Sequence, residues 1–241
     1  MANNYFQFKQ FTIHQDQCAM KVCTDACLFG AYIADELQTG VRSAVKNILD
    51  IGTGTGLLSL MLAQKTNVEI DTVEIDTAAY LQAKENIEQS LWKEKVTIYN
   101  NNIRQFESHK KYDCIISNPP FFENDLISDD KKKNAAKHDS TLTLQELLTH
   151  TERLLSAEGF FALLLPYHRT NYFEEEAEKL NFSLAKKILV KQTTKHKYFR
   201  SILIFSRNKI TTQTKAITIK NESGNYSEEF ILLLKDYYLY L

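Results

Sequence analysis

"LDIGTGTGLLSL", residues 49–60, decides the fold. An apolar strand ends near Asp50. Gly52, Gly54 and Gly56 then permit a tight turn and close backbone approach to a ligand, and a helix opens with its free N–H groups facing that ligand. A dinucleotide-binding turn has similar parts, but its GxGxxG spacing requires glycine at 57, where this chain has Leu57. The pattern here is the shorter GxGxG. One strand later, "TVEID" (72–76) ends in Glu74, an acid able to accept both hydroxyls of a ribose. Glycines at a strand end can mark a plain turn, and a strand-end acid can be merely solvated. Asp50, the glycines and Glu74 in register on consecutive strands point to a nucleoside ligand.

Outward from this turn, strand-like and helical patterns alternate. "NILDI" (47–51) and a helix from Leu57 precede "IDTVEI" (70–75) and the helical "TAAYLQAKENIEQSLW" (77–92). "KVTIYN" (95–100), "YDCIIS" (112–117), the leucine-spaced "TLQELLTHTERLL" (143–155) and "GFFALLLP" (159–166) follow. This order predicts an α/β fold, a doubly wound and mostly parallel sheet with ligands at the carboxyl ends of its strands. "FSLAKKILVKQ" and "RSILIFSR" are too close in sequence for a helical crossover, so they predict a terminal antiparallel hairpin at the sheet edge. We read one domain over 1–241: an amino-terminal segment (1–44) covering the cofactor, a core (45–207) and a carboxyl-terminal tail (208–241).

Composition sets limits. With 241 residues, 44% of them hydrophobic, the chain can bury one sizeable core. No run approaches the roughly 18 apolar residues of a membrane span, and the start carries no signal-peptide pattern, so a soluble cytoplasmic protein is expected. Cys18, Cys23, Cys27 and Cys114 lack paired CxxC spacing and are expected to be reduced thiols, with no metal site. The net charge of -1 argues against a protein that coats nucleic acid. Yet "AKKILVKQTTKHKYFR" (185–200) holds six lysines or arginines and no acid, and "DDKKKNAAKH" (129–138) holds four lysines. Either run alone reads as a solvated face; together they favour a polyanionic partner.

The chemistry lies in "CIISNPPFF" (114–122). S-adenosylmethionine fits the glycine turn and Glu74 better than NAD does, because it carries an adenosine and a carboxylate but no pyrophosphate. Its methyl group needs a reactive centre alongside. The exocyclic amine of adenine is a poor nucleophile, its lone pair delocalised into the ring, so acceptors must pull on its N–H groups. Asn118 offers a side-chain carbonyl and Pro119 a backbone carbonyl, and each precedes a proline that holds it extended. Phe121 can stack on the planar substrate. Asn118, Pro119 and Phe121 are therefore the expected catalytic group.

At these residues the chain resembles the class I S-adenosylmethionine-dependent methyltransferases, whose (N/D)PP(Y/F) subgroup modifies amino groups of adenine, guanine or glutamine. That resemblance covers residues 45–207. A closer one rests on "FKQFTIHQDQCAMKVCTDACLFGAYI" (8–33), on "NPPFF" followed by "AAKHDSTLTLQELL", and on "HKYFRSILIFSR" (196–207). Together they look like the bacterial valine tRNA (adenine(37)-N6)-methyltransferases, over nearly the whole chain. The resemblance implies Lys21 and Thr24 over the cofactor, beside Asp50, Gly52, Gly54, Gly56 and Glu74. Many relatives carry an acceptor Asp after the third strand, where this chain reads "YNNNIRQF" (99–106). The resemblance puts the amide oxygen of Asn102 in that role and Ile103 against the adenine face.

Three functional readings follow. The leading one is methyl transfer from S-adenosylmethionine to N6 of a tRNA adenine flipped from its stack. Lys131, Lys132, Lys133, Lys195, His196, Lys197 and Arg200 are its expected RNA contacts, and the resemblance adds His138. The second is a glutamine methyltransferase acting on a protein, which needs the same carbonyls but no polyanion surface. The third is a non-catalytic RNA-binding module. Intact Gly52, Gly54, Glu74 and Asn118 argue against that one. His14, His109, His150 and His168 read as ordinary surface or packing residues.

Overall fold

The computed structural model describes residues 3–18, 20–39, 45–119 and 142–241. Its centre is β3 (Asn47–Ile51), a strand buried along nearly its whole length, as expected where a parallel strand is covered on both faces. Helix α2 (Leu57–Lys65) follows the glycine turn directly, then β4 (Glu69–Glu74), α3 (Thr77–Glu88), β5 (Val96–Asn100) and β6 (Tyr112–Ser117). Asp76 caps α3 by accepting the Ala79 N–H at 2.8 Å. Before this core stand β1 (Tyr5–Gln7), β2 (Thr12–His14) and α1 (Thr24–Thr39). After it come α4 (Leu144–Leu154), β7 (Leu155–Pro166), a 3-10 turn (Tyr167–Arg169), α5 (Thr170–Lys179), β8 (Ser183–Thr193), β9 (Tyr198–Ser206), β10 (Gln213–Lys220) and α6 (Glu228–Leu234).

The main sheet has eight strands in the order β10-β8-β9-β7-β6-β3-β4-β5, and β1 and β2 form a separate antiparallel pair. β7, β6, β3, β4 and β5 run parallel. β9 is antiparallel to both β7 and β8, which is the expected hairpin. The hairpin is not the sheet edge, however. β10 pairs in parallel with β8, from Gln213 opposite Lys186 to Lys220 opposite Thr193, and takes that place. The β10 sequence, "QTKAITIK", shows only a short apolar alternation, because one of its flanks faces solvent.

Period-2 alternation divides the core into two layers. Ile48, Ile70, Ile116, Leu164, Ile204 and Ile217 face the layer of α1, α2 and α6. Leu49, Val73, Ile115, Leu163 and Phe205 face that of α4 and α5. The 208–241 stretch belongs to the first layer through Ile217, Ile219, Phe230, Leu234 and Tyr237. Helix α1 packs so closely on α2 that a Cβ at Gly30 would lie 2.7 Å from Met61 Sδ. Eleven of its 16 residues are buried, which removes the one-sided apolar stripe by which a helix is read from sequence.

Candidate active site

The site lies where the chain order reverses. From β3 the sheet grows one way through β4 and β5, and the other way through β6, so the carboxyl ends of β3 and β6 flank a switch point. Gly52, Gly54 and Gly56 all have positive φ (73, 59 and 81°), which only glycine adopts without strain. The Gly52 N–H donates to Val73 O at 2.9 Å, and the Gly54 N–H donates to Glu74 Oε2 at 2.8 Å. Glu74 Oε1 accepts the Asp76 N–H at 2.9 Å. Each carboxylate oxygen of Glu74 keeps a lone pair, a suitable acceptor for one of two adjacent hydroxyls.

Asp50 sits beneath the turn, fully buried. Its Oδ2 accepts the hydroxyls of Thr53 (2.7 Å) and Ser59 (2.8 Å), binding the turn to α2. Burial pushes its carboxyl up to about 6, with those two hydroxyls pulling the other way. Among the described residues no donor reaches its buried Oδ1. A Cβ built on Gly52 or Gly54 meets nothing within 4 Å, so open space lies above the turn. Open space, an orphaned buried acceptor and an acid with spare lone pairs fit a nucleoside that carries a positive charge.

Next to this turn, Ser117 pairs with Ile51, and its Oγ donates to Ile51 O at 2.8 Å. Asn118 follows at the end of β6, and among the described residues no donor reaches its buried Oδ1. A buried amide oxygen with nothing to accept is unusual enough to imply a missing donor. Pro119 is buried beside it. Phe121, Lys131, Lys132, Lys133 and His138 lie outside the described residues.

On the other side, the Asn101 N–H and the Asn100 Nδ2 both donate to Glu74 O at 3.0 Å, bringing the end of β5 to Glu74. Asn102 Oδ1 accepts the Arg104 N–H at 3.0 Å, so one lone pair remains for any ligand amine. Ile103 is buried with Val73 and Phe106. Two residues that sequence reasoning missed fasten this loop. Arg104 makes a double hydrogen bond to Glu146 at 2.8 Å for each arm, and Arg153 Nη2 donates to Phe106 O at 2.8 Å. Glu146 also completes a capping box with Thr143. The Arg104 hydrogen bonds hold its carboxyl down at about 2. The T-x-x-E spacing at 143–146 was the available signal.

The amino-terminal segment crosses this region on Asn86, another residue the sequence did not flag. Its Oδ1 accepts the His14 N–H, while its Nδ2 donates to both His14 O and Thr55 O, all at 2.9 Å. One side chain thereby clips β2 to the glycine turn. Lys21 folds back to donate to Gln15 O, and Thr24 opens α1. Burial and then the charges of Glu74 and Asp76 push the Cys18 thiol up to about 11, so Cys18 stands near Glu74 as an unreactive thiol. All four cysteines are free.

Register places the β8–β9 turn at the same carboxyl end of the sheet as Asn118, since β8 runs parallel to β7 and Arg200 pairs with both Pro166 and Val190. Lys195, His196 and Lys197 are exposed there. Arg200 is engaged elsewhere: its Nε donates to Asp25 Oδ2 at 2.7 Å, which joins β9 to the first turn of α1. Among the described residues no cluster of three or more His, Cys, Asp or Glu side chains could hold a metal ion, and no helix is long and apolar enough to cross a membrane.

Residues 21–199 match the methyltransferase small domain family. A protein of Dyadobacter fermentans named tRNA1(Val) (adenine(37)-N6)-methyltransferase is 44% identical over 98% of each chain. One of the same name from Trichodesmium erythraeum is 42% identical over 99% of each. The crystal structure of a predicted O-methyltransferase from Agrobacterium tumefaciens superposes with a TM-score of 0.68 over 88% of this chain and 96% of that one, at 11% identity, a likeness of fold alone.

Proposed function

The chain belongs to the methyltransferase small domain family, and from that premise we propose that it transfers a methyl group from S-adenosylmethionine to N6 of an adenine in tRNA. The relatives' shared name, at up to 44% identity over nearly full length, supports adenine 37 of valine tRNA as the target. The reaction is assigned to the cytoplasm, where bacterial tRNA resides.

The observation that carries this reading is the orphaned, buried Oδ1 of Asn118 beside the open glycine turn. S-adenosylmethionine, when bound, supplies an electrophilic methyl group on a sulfonium centre. Gly52, Gly54 and Gly56 would admit it, Glu74 would accept its ribose hydroxyls, and the anionic form of Asp50 suits its ammonium group. Asn118 Oδ1 and the Pro119 carbonyl accept the two N–H groups of the adenine amine. They draw its lone pair out of conjugation and hold it toward the methyl. As the nitrogen becomes positive these two acceptors bind more strongly, so their contribution grows in the transition state. No side chain has to remove a proton beforehand: the nitrogen would take the methyl as the sulfur–methyl bond breaks, leaving the thioether S-adenosylhomocysteine, and the cationic nitrogen would then give its surplus proton to water. Phe121 would stack on the flipped base.

The test is methylation of unmodified valine tRNA by the purified protein, with the product mapped by mass spectrometry. N6-methyladenosine at position 37 is the expected outcome. Methylation of a protein glutamine with untouched tRNA would overturn the assignment.

A further inference from the structure

Beyond Asn118, the same carboxyl end of the sheet carries an aromatic and cationic surface. The 3-10 turn after β7 exposes Tyr167, His168 and Arg169, and the β8–β9 turn lies beside it. The Tyr167 ring is 43% exposed and stands 5.5 Å from the Tyr198 ring, tilted by 47°. Lys191 Nζ lies 5.0 Å from the centre of the Tyr198 ring, and Arg169 Cζ lies 4.9 Å from that of Tyr172, itself 37% exposed. Stretches 167–169 and 191–198 contain four lysines or arginines and no acid. Among the described residues no carboxylate pairs with Arg169, Lys191, Lys195 or Lys197, and two of the four acids of α5 are engaged by other lysines: Glu174 by Lys187 at 2.6 Å and Glu176 by Lys179 at 2.5 Å.

Its position relative to Asn118 follows from register. Ser117 pairs with Leu163, so Tyr167 lies one strand across and three residues farther along, roughly 10 Å from Asn118. The β8–β9 turn lies about one to two strand spacings beyond, since β9 pairs with β7 and β8 with β9. An exposed tyrosine ring braced by a second one, with cations close over neighbouring rings, is the surface on which unpaired bases stack while their phosphates are neutralised. A protein acceptor would gain little from four cations in a row; a single strand of RNA uses both features.

Building on the tRNA reading above, we propose that Tyr167, Arg169, Lys191 and Tyr198, with Lys195 and Lys197 of the adjoining turn, receive the nucleotides that flank the target adenine. Tyr167 stacks on an unpaired base, and the cations contact its backbone. The surface thereby holds the strand open while the target is turned into the Asn118 pocket. Recognition of an unpaired loop rather than a duplex follows, since a base within a helix offers no free face to Tyr167.

Binding of unmodified valine tRNA and of S-adenosylmethionine is measured for wild type, Tyr167→Ala, Tyr167→Phe and the double variant Arg169→Gln/Lys191→Gln. Tyr167→Ala should raise the dissociation constant for tRNA roughly 5- to 100-fold with an unchanged salt slope, because stacking releases no counterions. Tyr167→Phe should bind as wild type does. The double variant should flatten the slope of log K against log salt by about 1.4 to 1.8. Unchanged affinity for S-adenosylmethionine certifies the fold of each variant. Wild-type tRNA affinity and salt slope in Tyr167→Ala and in the double variant would overturn the surface. Patch-dependent binding without methyl transfer by the wild type would keep the surface and overturn the reaction.

Discussion

Glu74 accepts the Gly54 N–H through Oε2 at 2.8 Å, so the acid that ends β4 is joined directly to the middle of the glycine turn. Under the proposed function, cofactor affinity is expected to depend on both residues together. Glu74→Ala removes the ribose acceptor and frees the Gly54 amide, and Gly54→Asp forces a side chain onto a φ of 59° beside Glu74. Each should weaken S-adenosylmethionine binding by at least about 10-fold, at roughly 1.4 kcal/mol per decade. Titration calorimetry on folded variants checks this, and wild-type affinity in both would remove the turn from the binding site.

Asn118→Ala deletes the acceptor whose contribution grows as the amine becomes positive. The turnover rate should fall by roughly 100-fold or more, comparable to loss of one preorganised polar group in other active sites, while cofactor affinity stays level. Asn118→Asp keeps an acceptor oxygen and should retain part of the rate. Single-turnover methylation of tRNA measures both variants, and a parental rate for Asn118→Ala would contradict the mechanism.

Asp50 carries a pH dependence whose sign can be worked out. Its carboxyl is raised to about 6 in the folded chain from an ordinary value of 3.8, so between these two the folded state binds more protons than the unfolded one. Its contribution to stability is therefore largest below pH 3.8 and declines as pH rises to 6, by up to about 3 kcal/mol. Urea unfolding of wild type and Asp50→Asn across pH 4 to 7 should show the wild type losing ground to the variant over that window. A bound cation favours the ionised form, so affinity for S-adenosylmethionine should rise as pH passes through 6. A flat profile in both measurements would mean that Asp50 does not titrate there.

The cations of the terminal hairpin should separate into two kinds. Lys195→Gln/Lys197→Gln should flatten the salt dependence of tRNA binding by about 1.4 to 1.8 and leave unfolding unchanged. Arg200→Ala should instead destabilise the fold by roughly 3 kcal/mol, because it strands the buried carboxylate of Asp25 in the first turn of α1. Equal effects of the two changes on stability would contradict this division.

Much of this protein was legible in its sequence, wherever the determining interactions are local. The ends of β3 and α2 follow from an apolar run, three glycines and the absence of a glycine at 57, all within fourteen residues (47–60). The β8–β9 hairpin follows from a connection too short for a crossover, and the position of Asn118 at the end of β6 from an alternating run stopped by two prolines. What only the tertiary structure decided is which distant groups meet. β10 covers the edge of β8 because its ladder is closed by backbone groups, which any sequence of suitable alternation supplies equally. Arg200, read from sequence as an RNA contact, was joined by the fold to Asp25, 175 residues away. Arg104 found Glu146, and Asn86 joined His14 to Thr55, through pairings that no spacing along the chain records. Helix α1 went unread for the opposite reason: burial on nearly every side erased the periodicity by which an isolated helix declares its inner face. Local backbone preference and hydrophobic period are written into consecutive residues, whereas the partner of a polar side chain is chosen by the packing of elements that come together only in the folded chain.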